Sequence, residues 1–289
     1  MKKILVTGSH GQVGWELART LSPLGRVIAV SRAEMDLSDA GSIRKKVREI
    51  APDIIVNAAA YTAVDRAEGE EALAHAVNAI APGILAEEAL RLGSAIVHYS
   101  TDYVFDGTKT GPYEENEATC PLSAYGRTKL AGEEAVRNSG AAHLVFRTSW
   151  VYGVRGHNFL RTMLRLAKER DELRIVSDQI GAPTWSRMIA EATSLVLAKC
   201  PDIDAIREKS GIYHLSSSGS TSWFGFASVI LKDADIALHP IPSEAYPLPA
   251  ARPKNSLLSG EKLESVFGIR LPDWESSLAL CRGDLGESC

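Results

Sequence analysis

Short apolar runs alternate with helical patterns through the first half of the chain, and this alternation limits the fold more than any other feature. Strands are predicted for the apolar runs at residues 4–7, 27–30, 53–57, 95–100 and 143–147. Between them, apolar residues recur at helical spacing over residues 13–24, 43–50, 67–92 and 125–138. Strands that are apolar on both faces and separated by helices are typical of a parallel sheet covered on both sides. The sequence therefore predicts an α/β fold with a doubly wound parallel sheet.

Gly8, Gly11 and Gly14 form a G-x-x-G-x-x-G motif where the first predicted strand meets the first helix. One glycine permits the tight turn, another leaves room for a pyrophosphate, and the third lets the helix pack closely on the strand. The N-terminus of that helix would direct free N–H groups at the phosphates. Such turns can be purely structural, but the strand–turn–helix context favours a Rossmann-like site for a dinucleotide.

Ser31 and Arg32 follow the second predicted strand, where dinucleotide-binding folds distinguish NAD from NADP. A hydroxyl and a guanidinium suit the 2′-phosphate of NADPH. The alternative is that Arg32 is a solvated surface arginine. Asp36, a few residues on, could reach the adenine amino group or could instead cap a turn. The sequence favours NADPH as cofactor, with NADH as the second choice.

The pattern changes beyond about residue 153. Helices are predicted over residues 159–167 and 186–198 and a strand over 173–176, while the chain from residue 211 onward is rich in Ser, Gly and Pro. We expect a dinucleotide-binding, Rossmann-like domain over residues 1–153 and a smaller, loop-rich, substrate-binding C-terminal lobe over residues 154–289. Residues of about 175–198 are expected to pack back on the first domain.

Charge and cysteine content exclude several classes of function. The net charge is −4 with both signs scattered, so neither nucleic acid nor a membrane surface is an expected partner. The first apolar run is too short for a signal peptide and no stretch could span a bilayer, so we expect a cytoplasmic protein. The four cysteines form no C-x-x-C pair, which predicts neither zinc nor a disulfide framework: Cys120, Cys200, Cys281 and Cys289.

Tyr125 and Lys129 are spaced to share one face of a predicted helix. A free tyrosine has a pKa of about 10, and a lysine ammonium one turn away would stabilise the phenolate and lower that pKa. Y-x-x-x-K alone is common in helices. Here, however, Ser100, Thr101 and Asp102 end the fourth strand, where a hydroxyl can bond the substrate oxygen. With the glycine motif, this combination predicts a reductase whose catalytic residues are Thr101, Tyr125 and Lys129.

With these residues in place, the chain resembles the extended short-chain dehydrogenase/reductases and, more closely, the dTDP-4-dehydrorhamnose reductase family. The resemblance runs nearly from end to end. It is carried by Val6-Thr7-Gly8, Gly11-Gln12-Val13-Gly14 and the segments at residues 57–65, 100–107, 125–129, 147–153, 181–184, 221–223 and 252–256.

The resemblance implies that NADPH or NADH reduces the C4 keto group of dTDP-4-dehydro-L-rhamnose to dTDP-L-rhamnose, a step of dTDP-rhamnose biosynthesis. Tyr125 would protonate the C4 oxygen, Lys129 would tune that tyrosine, and Thr101 would orient the carbonyl. The cofactor would also contact Gly8, Gly11, Gln12, Val13, Gly14, Ala58, Ala59, Tyr61 and Ser100. The nucleotide sugar would contact Asp102, Tyr103, Trp150, Trp223 and Arg252.

Some of these implied roles have structural alternatives. Trp150 would press on the sugar ring, unless it is an ordinary core tryptophan. Trp223 and Arg252 would serve the nucleotide end, with Arg252 pairing with the diphosphate, but packing explains Trp223 equally well. Some family members dimerise through Mg²⁺ held by carboxylates. Glu16 matches one such position, whereas residues 186–189 contain no acidic pair for the others, so we expect no bound metal and either a monomer or a homodimer.

Three other functions stay open. The chain could be another nucleotide-sugar 4-ketoreductase, or an epimerase. A 4,6-dehydratase would need a second carboxylate beside the catalytic threonine, but Asp102 is followed by Tyr103 and Val104. A non-catalytic, NADP-binding regulatory subunit is the remaining alternative, although this sequence keeps all three catalytic residues.

Overall fold

The computed structural model describes residues 1–286, so that Cys289 lies outside it. The strands are β1 Lys3–Thr7, β2 Arg26–Val30, β3 Ile54–Asn57, β4 Ala95–Thr101, β5 Ala142–Thr148, β6 Val151–Tyr152, β7 Glu172–Val176, β8 Ile180–Gly181, β9 Thr184–Trp185, β10 Gly211–His214, β11 Thr221–Ser222 and β12 Ala237–Ile241. Six of them form one parallel sheet in the order β10-β5-β4-β3-β1-β2. The predicted α/β fold with a parallel sheet is confirmed.

The helices lie between these strands and beyond them. They are α1 Gln12–Thr20, α2 Ala40–Ile50, α3 Val64–Ala67, α4 Glu71–His75, α5 Ala81–Leu92, α6 Ala124–Asn138, α7 Phe159–Leu166, α8 Ser186–Ala198, α9 Ile203–Glu208, α10 Trp223–Ile230, α11 Glu261–Phe267 and α12 Trp274–Asp284. Short 3₁₀ turns cover Asp102–Val104 and Ser243–Ala245. Within residues 1–286, every helix is too short or too polar to traverse a bilayer.

Two hydrophobic layers cover the central sheet, as its apolar strands require. Ile4 and Val6 of β1 pack in one layer with Leu17 of α1 and Ile189 of α8. Leu5 packs in the opposite layer with residues of α2 and α5. Successive side chains of a strand point to opposite faces, so a strand buried on both faces is apolar throughout. This burial is why the five strand runs could be recognised from sequence.

The helix predicted over residues 67–92 begins later, at Glu71, and continues to Leu92 with one irregular turn. α4 is followed by a π-helical turn, Ala76–Ile80, before α5 begins. Pro82 has no N–H to donate to the carbonyl of Asn78, which is the bond that a regular α-helix would make. The Asn78 side chain also bonds the backbone of Tyr61: Tyr61 N donates to Oδ1 at 2.8 Å, and Nδ2 donates to Tyr61 O at 3.1 Å.

Parts of the chain beyond residue 153 join the main sheet. Strand β10 pairs with β5, and α8 packs in the same layer as α1. The sequence analysis missed β10, since it is a four-residue strand next to a run of serines and glycines. A separate core, which includes Leu160, Phe226 and Trp274, lies under the remaining elements. The division into domains at residue 153 stays a prediction.

Candidate functional site

A cavity of about 750 Å³ opens at the carboxyl edge of the central sheet. In doubly wound folds, ligands bind outside this edge. The structure brings nearly all predicted site residues together here. Those that line the cavity are Gly8, Gly11, Gln12, Val13, Ser31, Arg32, Asp36, Ala58, Ala59, Tyr61, Ser100, Thr101, Asp102, Tyr103, Tyr125, Lys129, Trp150 and Trp223. Gly14 and Arg252 are not among its lining residues.

The glycine turn between β1 and α1 leaves no room for side chains. Gly8 has φ +68°, and a Cβ there would lie 2.9 Å from the backbone of Ala59. A Cβ at Gly14 would overlap the carbonyl oxygen of Gly8. Helix α1 has Gly11 as its N-cap and no side-chain cap, so its first N–H groups are available to a ligand. This turn fits the pyrophosphate of a dinucleotide.

Beyond the glycine turn, the end of β2 carries two carboxylates besides the predicted arginine. Glu34 accepts hydrogen bonds from the backbone N–H and the hydroxyl of Ser31, both at 2.8 Å to Oε2. Asp36 accepts from the N–H and hydroxyl of Ser38, so it caps a turn while also lining the cavity. The Arg32 guanidinium is 76% exposed, with Nε 3.7 Å from Asp36 Oδ2. Sequence reasoning missed Glu34, although a carboxylate three residues after a serine can close such a turn.

Tyr125 lies in the first turn of α6. Ser123 caps this helix by accepting a bond from Gly126 N at 3.2 Å. The ring of Tyr125 meets Tyr103 edge-on, with centroids 5.7 Å apart. Burial raises the pKa of Tyr125 above its usual value, whereas hydrogen bonding with the Thr101 hydroxyl opposes that rise. The phenol is therefore protonated at neutral pH and is held next to the Thr101 hydroxyl.

Two close backbone contacts fix the position of α6. A Cβ at Gly126 would collide with the carbonyl oxygen of Tyr103, and one at Gly132 would collide with that of Asn78. The helix can approach both carbonyls only because glycine has no side chain.

Lys129 is buried one turn after Tyr125, with 2% of its surface exposed. Its Nζ donates to the carbonyl of Tyr99 at 2.5 Å. Burial lowers the pKa of Lys129 to about 8, while the charge of Glu133 opposes this shift. Glu133 itself receives two bonds from Arg147, at 2.9 and 2.7 Å. Sequence reasoning missed this buried ion pair, although Glu133 follows Lys129 by one helical turn.

Asp102 joins three segments of the chain beneath the cavity. Its Oδ1 accepts from Thr101 Oγ1 at 2.8 Å and its Oδ2 from Ser149 Oγ at 3.1 Å. Burial raises the pKa of Asp102, and hydrogen bonds from Ser256, Thr101 and Ser149 oppose that rise. The carboxylate thereby orients the hydroxyl of Thr101 at the end of β4.

Trp150 and Trp223 stack face to face at the far end of the cavity. Their ring centroids are 3.5 Å apart with an interplanar angle of 5°. Trp150 has φ +48°, which is rare for a residue with a bulky side chain. Trp223 also donates from Nε1 to Gln179 Oε1 at 3.2 Å. Trp223 therefore packs on Trp150, and its predicted contact with the nucleotide stays a prediction.

Comparison with known proteins shows which family this chain belongs to. The family model described as the RmlD substrate binding domain matches residues 1–285. A dTDP-4-dehydrorhamnose reductase of Burkholderia thailandensis is 53% identical over 299 residues, covering 98% of this chain and 99% of that protein. The chain belongs to the dTDP-4-dehydrorhamnose reductase family. It is thus an oxidoreductase, which sets aside the non-catalytic alternative.

Solved structures of the dTDP-4-dehydrorhamnose reductase family have the same fold. The enzyme of Clostridium acetobutylicum has a TM-score of 0.92 and 37% identity, covering 98% of this chain and 99% of that one. The enzyme of Bacillus anthracis, solved in complex with NADP, has a TM-score of 0.89 and 35% identity over the same shares.

The family resemblance implies that Arg252 binds the diphosphate of the substrate. In this structure, however, Arg252 pairs with the carboxylate of Asp65. Asp65 Oδ1 and Oδ2 accept from its two terminal nitrogens at 2.9 and 2.7 Å. Asp65 Oδ1 also accepts from Ala250 N at 3.2 Å. Hydrogen bonding to Arg252 lowers the pKa of Asp65, so the pair is ionised at neutral pH. Sequence reasoning missed Asp65 as the partner of Arg252.

The family resemblance suggests Glu16 as a metal ligand. In this structure, Glu16 lies beside the guanidinium of Arg187. Its Oε2 is 3.3 Å from Arg187 Nε, and Arg187 also pairs with Asp284. Burial raises the pKa of the neighbouring Glu191. Within residues 1–286, no group of three or more His, Cys, Asp or Glu side chains is arranged to hold a metal ion.

Proposed function

We propose that this oxidoreductase converts dTDP-4-dehydro-L-rhamnose into dTDP-L-rhamnose, with NADPH or NADH as reductant. The observation that carries the proposal is that Thr101, Tyr125 and Lys129 line the same cavity as the glycine turn. The reaction named for the relatives supports the substrate, and the NADP complex of the Bacillus anthracis enzyme supports the cofactor. The division at residue 153 and a monomeric or homodimeric state remain parts of this proposal.

The proposed cofactor would lie along the carboxyl edge of the sheet. Its pyrophosphate would bind the turn that includes Gly11 and Gln12 and the N-terminus of α1. Ala58, Ala59 and Tyr61 would border its ribose path, and Lys129 would hold the nicotinamide ribose. When bound, the nicotinamide ring supplies a hydride to C4 of the sugar.

Tyr125 would supply the proton that the C4 oxygen needs. Burial keeps the phenol protonated at neutral pH, so the acid is in the correct form before substrate binds. As the phenol loses its proton, the Lys129 ammonium would stabilise the phenolate. The Thr101 hydroxyl, which donates to Asp102 in this structure, would turn its hydrogen to the C4 oxygen when substrate binds.

The substrate would occupy the end of the cavity near the stacked tryptophans. Trp150 would face the sugar ring, with Tyr103 and Asp102 at its base. Arg252 would meet the diphosphate, for which the oxygens of Asp65 are the competing partner.

Replacing Tyr125 by phenylalanine tests the proposal. We expect Tyr125→Phe to lower kcat by roughly 10²–10⁴-fold with little change in NADPH affinity, since only the acidic hydroxyl is removed. Tyr152→Phe is a matched control, because the buried Tyr152 hydroxyl has no hydrogen-bond partner within residues 1–286 and lies outside the cavity lining. The assay follows NADPH oxidation with dTDP-4-dehydro-L-rhamnose, and NMR identifies the product.

Two results would contradict this function. If Tyr125→Phe turned over at nearly the wild-type rate, Tyr125 would not be the proton donor. A product with another configuration at C4 or C5 would instead favour a different nucleotide-sugar ketoreductase or an epimerase.

A further inference from the structure

In folds of this kind, residues after the second strand can distinguish the two cofactors of the proposed reaction. Ser31 and Arg32 line the cavity there. In this fold, residues after the second strand contact the ribose that carries the 2′ substituent. NADPH has a phosphate at that position and NADH has a hydroxyl. The donors and charges around Ser31 therefore decide which cofactor binds better.

Glu34 already occupies the donors that a 2′-phosphate would use. Both the backbone N–H and the hydroxyl of Ser31 point to one carboxylate oxygen of Glu34, at 2.8 Å each. A backbone bond from Glu34 N to Ser31 O, at 3.1 Å, closes the same turn. Hydrogen bonds from Ser31 lower the pKa of Glu34, so the carboxylate is charged at neutral pH.

The local charge also disfavours a phosphate. Arg32 brings one positive charge, while Glu34 and Asp36 each bring one negative charge. The ammonium of Lys46 also acts on Glu34, but it is paired with Glu49 at 3.0 Å. A phosphate monoester adds about two more negative charges at neutral pH. A ribose hydroxyl adds none, and it can donate a hydrogen bond to a carboxylate.

We propose that Glu34 is a specificity-determining residue that restrains the use of NADPH and permits the use of NADH. With Glu34 on Ser31, the ribose hydroxyl of NADH meets an acceptor. A 2′-phosphate has to displace the carboxylate from Ser31 before it can use the same donors and Arg32. This assignment rests on the proposed function, because it presumes that the cavity holds a nicotinamide cofactor.

Glu34→Ala removes the carboxylate from Ser31, and Glu34→Gln keeps its shape without its charge. We expect Glu34→Ala to raise the affinity for NADPH relative to NADH by about tenfold, since one nearby negative charge is lost and two donors are freed. Glu34→Gln should give a smaller change in the same direction. Glu169→Ala is the control, because it removes one exposed negative charge from a pair with Arg165, at the end of α7.

The measurement is calorimetric titration of each variant with NADPH and with NADH, without substrate. The charge effect should shrink as salt concentration rises, since exposed charges are screened. An unchanged affinity ratio in Glu34→Ala overturns the proposal, and so does an equal loss of both affinities, which would make Glu34 a structural part of the turn. Binding of neither cofactor by the wild-type protein would overturn the proposed function itself, and this proposal with it.

Discussion

Both carboxylate oxygens of Asp65 accept hydrogen bonds from the guanidinium of Arg252, at 2.9 and 2.7 Å. The two residues are 187 positions apart, so this pair fastens the loop around residue 252 to helix α3. A bidentate pair of this kind holds the guanidinium in one orientation. The same donors suit phosphate oxygens, so a diphosphate either shares Arg252 with Asp65 or displaces it.

Removing the arginine should therefore weaken nucleotide binding. We expect Arg252→Ala to lower the affinity for dTDP by roughly 10- to 100-fold, the usual range for charge-assisted hydrogen bonds. Arg252→Lys should recover only part of the loss, because an ammonium cannot form the planar fork. Asp65→Asn should lose less affinity for dTDP than Arg252→Ala, since the guanidinium is kept. Calorimetry with dTDP measures all three, and wild-type affinity in Arg252→Ala would leave the arginine as a structural tie to Asp65.

The stacked tryptophans predict a defect in substrate binding alone. Trp223→Leu removes the ring that supports Trp150 in its left-handed backbone conformation. Aromatic pairs contribute about 0.5–1.5 kcal/mol, so we expect KM for the nucleotide sugar to rise roughly 2- to 12-fold. Trp223→Phe should restore part of the loss, while NADPH affinity stays constant. A KM for the sugar unchanged in Trp223→Leu would show that Trp150 keeps its place without the stack.

The buried lysine predicts an alkaline limb in the pH profile. Burial lowers the pKa of Lys129 to about 8, so its charge is complete below that pH and is lost as pH rises through it. The pKa of Tyr125 is raised, so the phenol stays protonated over the same range. We expect kcat/KM for reduction, which reports the free enzyme, to fall above pH 8. If the Lys129→Met variant showed the same fall in kcat/KM at the same pH, the alkaline limb would belong to another group.

Arg32 should shift cofactor preference in the direction opposite to Glu34. Arg32→Ala removes the positive charge next to Ser31, so we expect the KM for NADPH to rise and that for NADH to change little. The size of the effect should be at the lower end of roughly 10- to 100-fold, because Arg32 is largely exposed and lies beside Asp36. Steady-state kinetics with both cofactors measures it, and equal effects on the two would exclude a contact with the phosphate.

Sequence patterns predicted five of the six strands of the sheet and the residues that line the cavity, because both depend on local spacing. Strands buried on both faces leave continuous apolar runs, and Tyr125 and Lys129 are one helical turn apart. Some of the missed features depend on contacts between distant parts of the chain. Asp65 pairs with Arg252 from a distant part of the chain. Glu34, in contrast, bonds Ser31 only three residues away, in a turn that a serine followed by a carboxylate could have indicated. The π-helical turn at residues 76–80 precedes Pro82, which lacks the N–H that would bond the carbonyl of Asn78 in a regular α-helix.

Helix α6 rests on two backbone carbonyls, through Gly126 and Gly132. Each of these contacts joins main chain to main chain, without a side chain between them. Substitutions around α6 can therefore alter volume and polarity without moving the tyrosine and the lysine that the helix carries. The place of Tyr125 and Lys129 relative to the backbone of Tyr103 and Asn78 is thus set by the main chain itself. Tolerance to mutation in this protein should drop sharply at these two glycines, compared with their neighbours on the same helix.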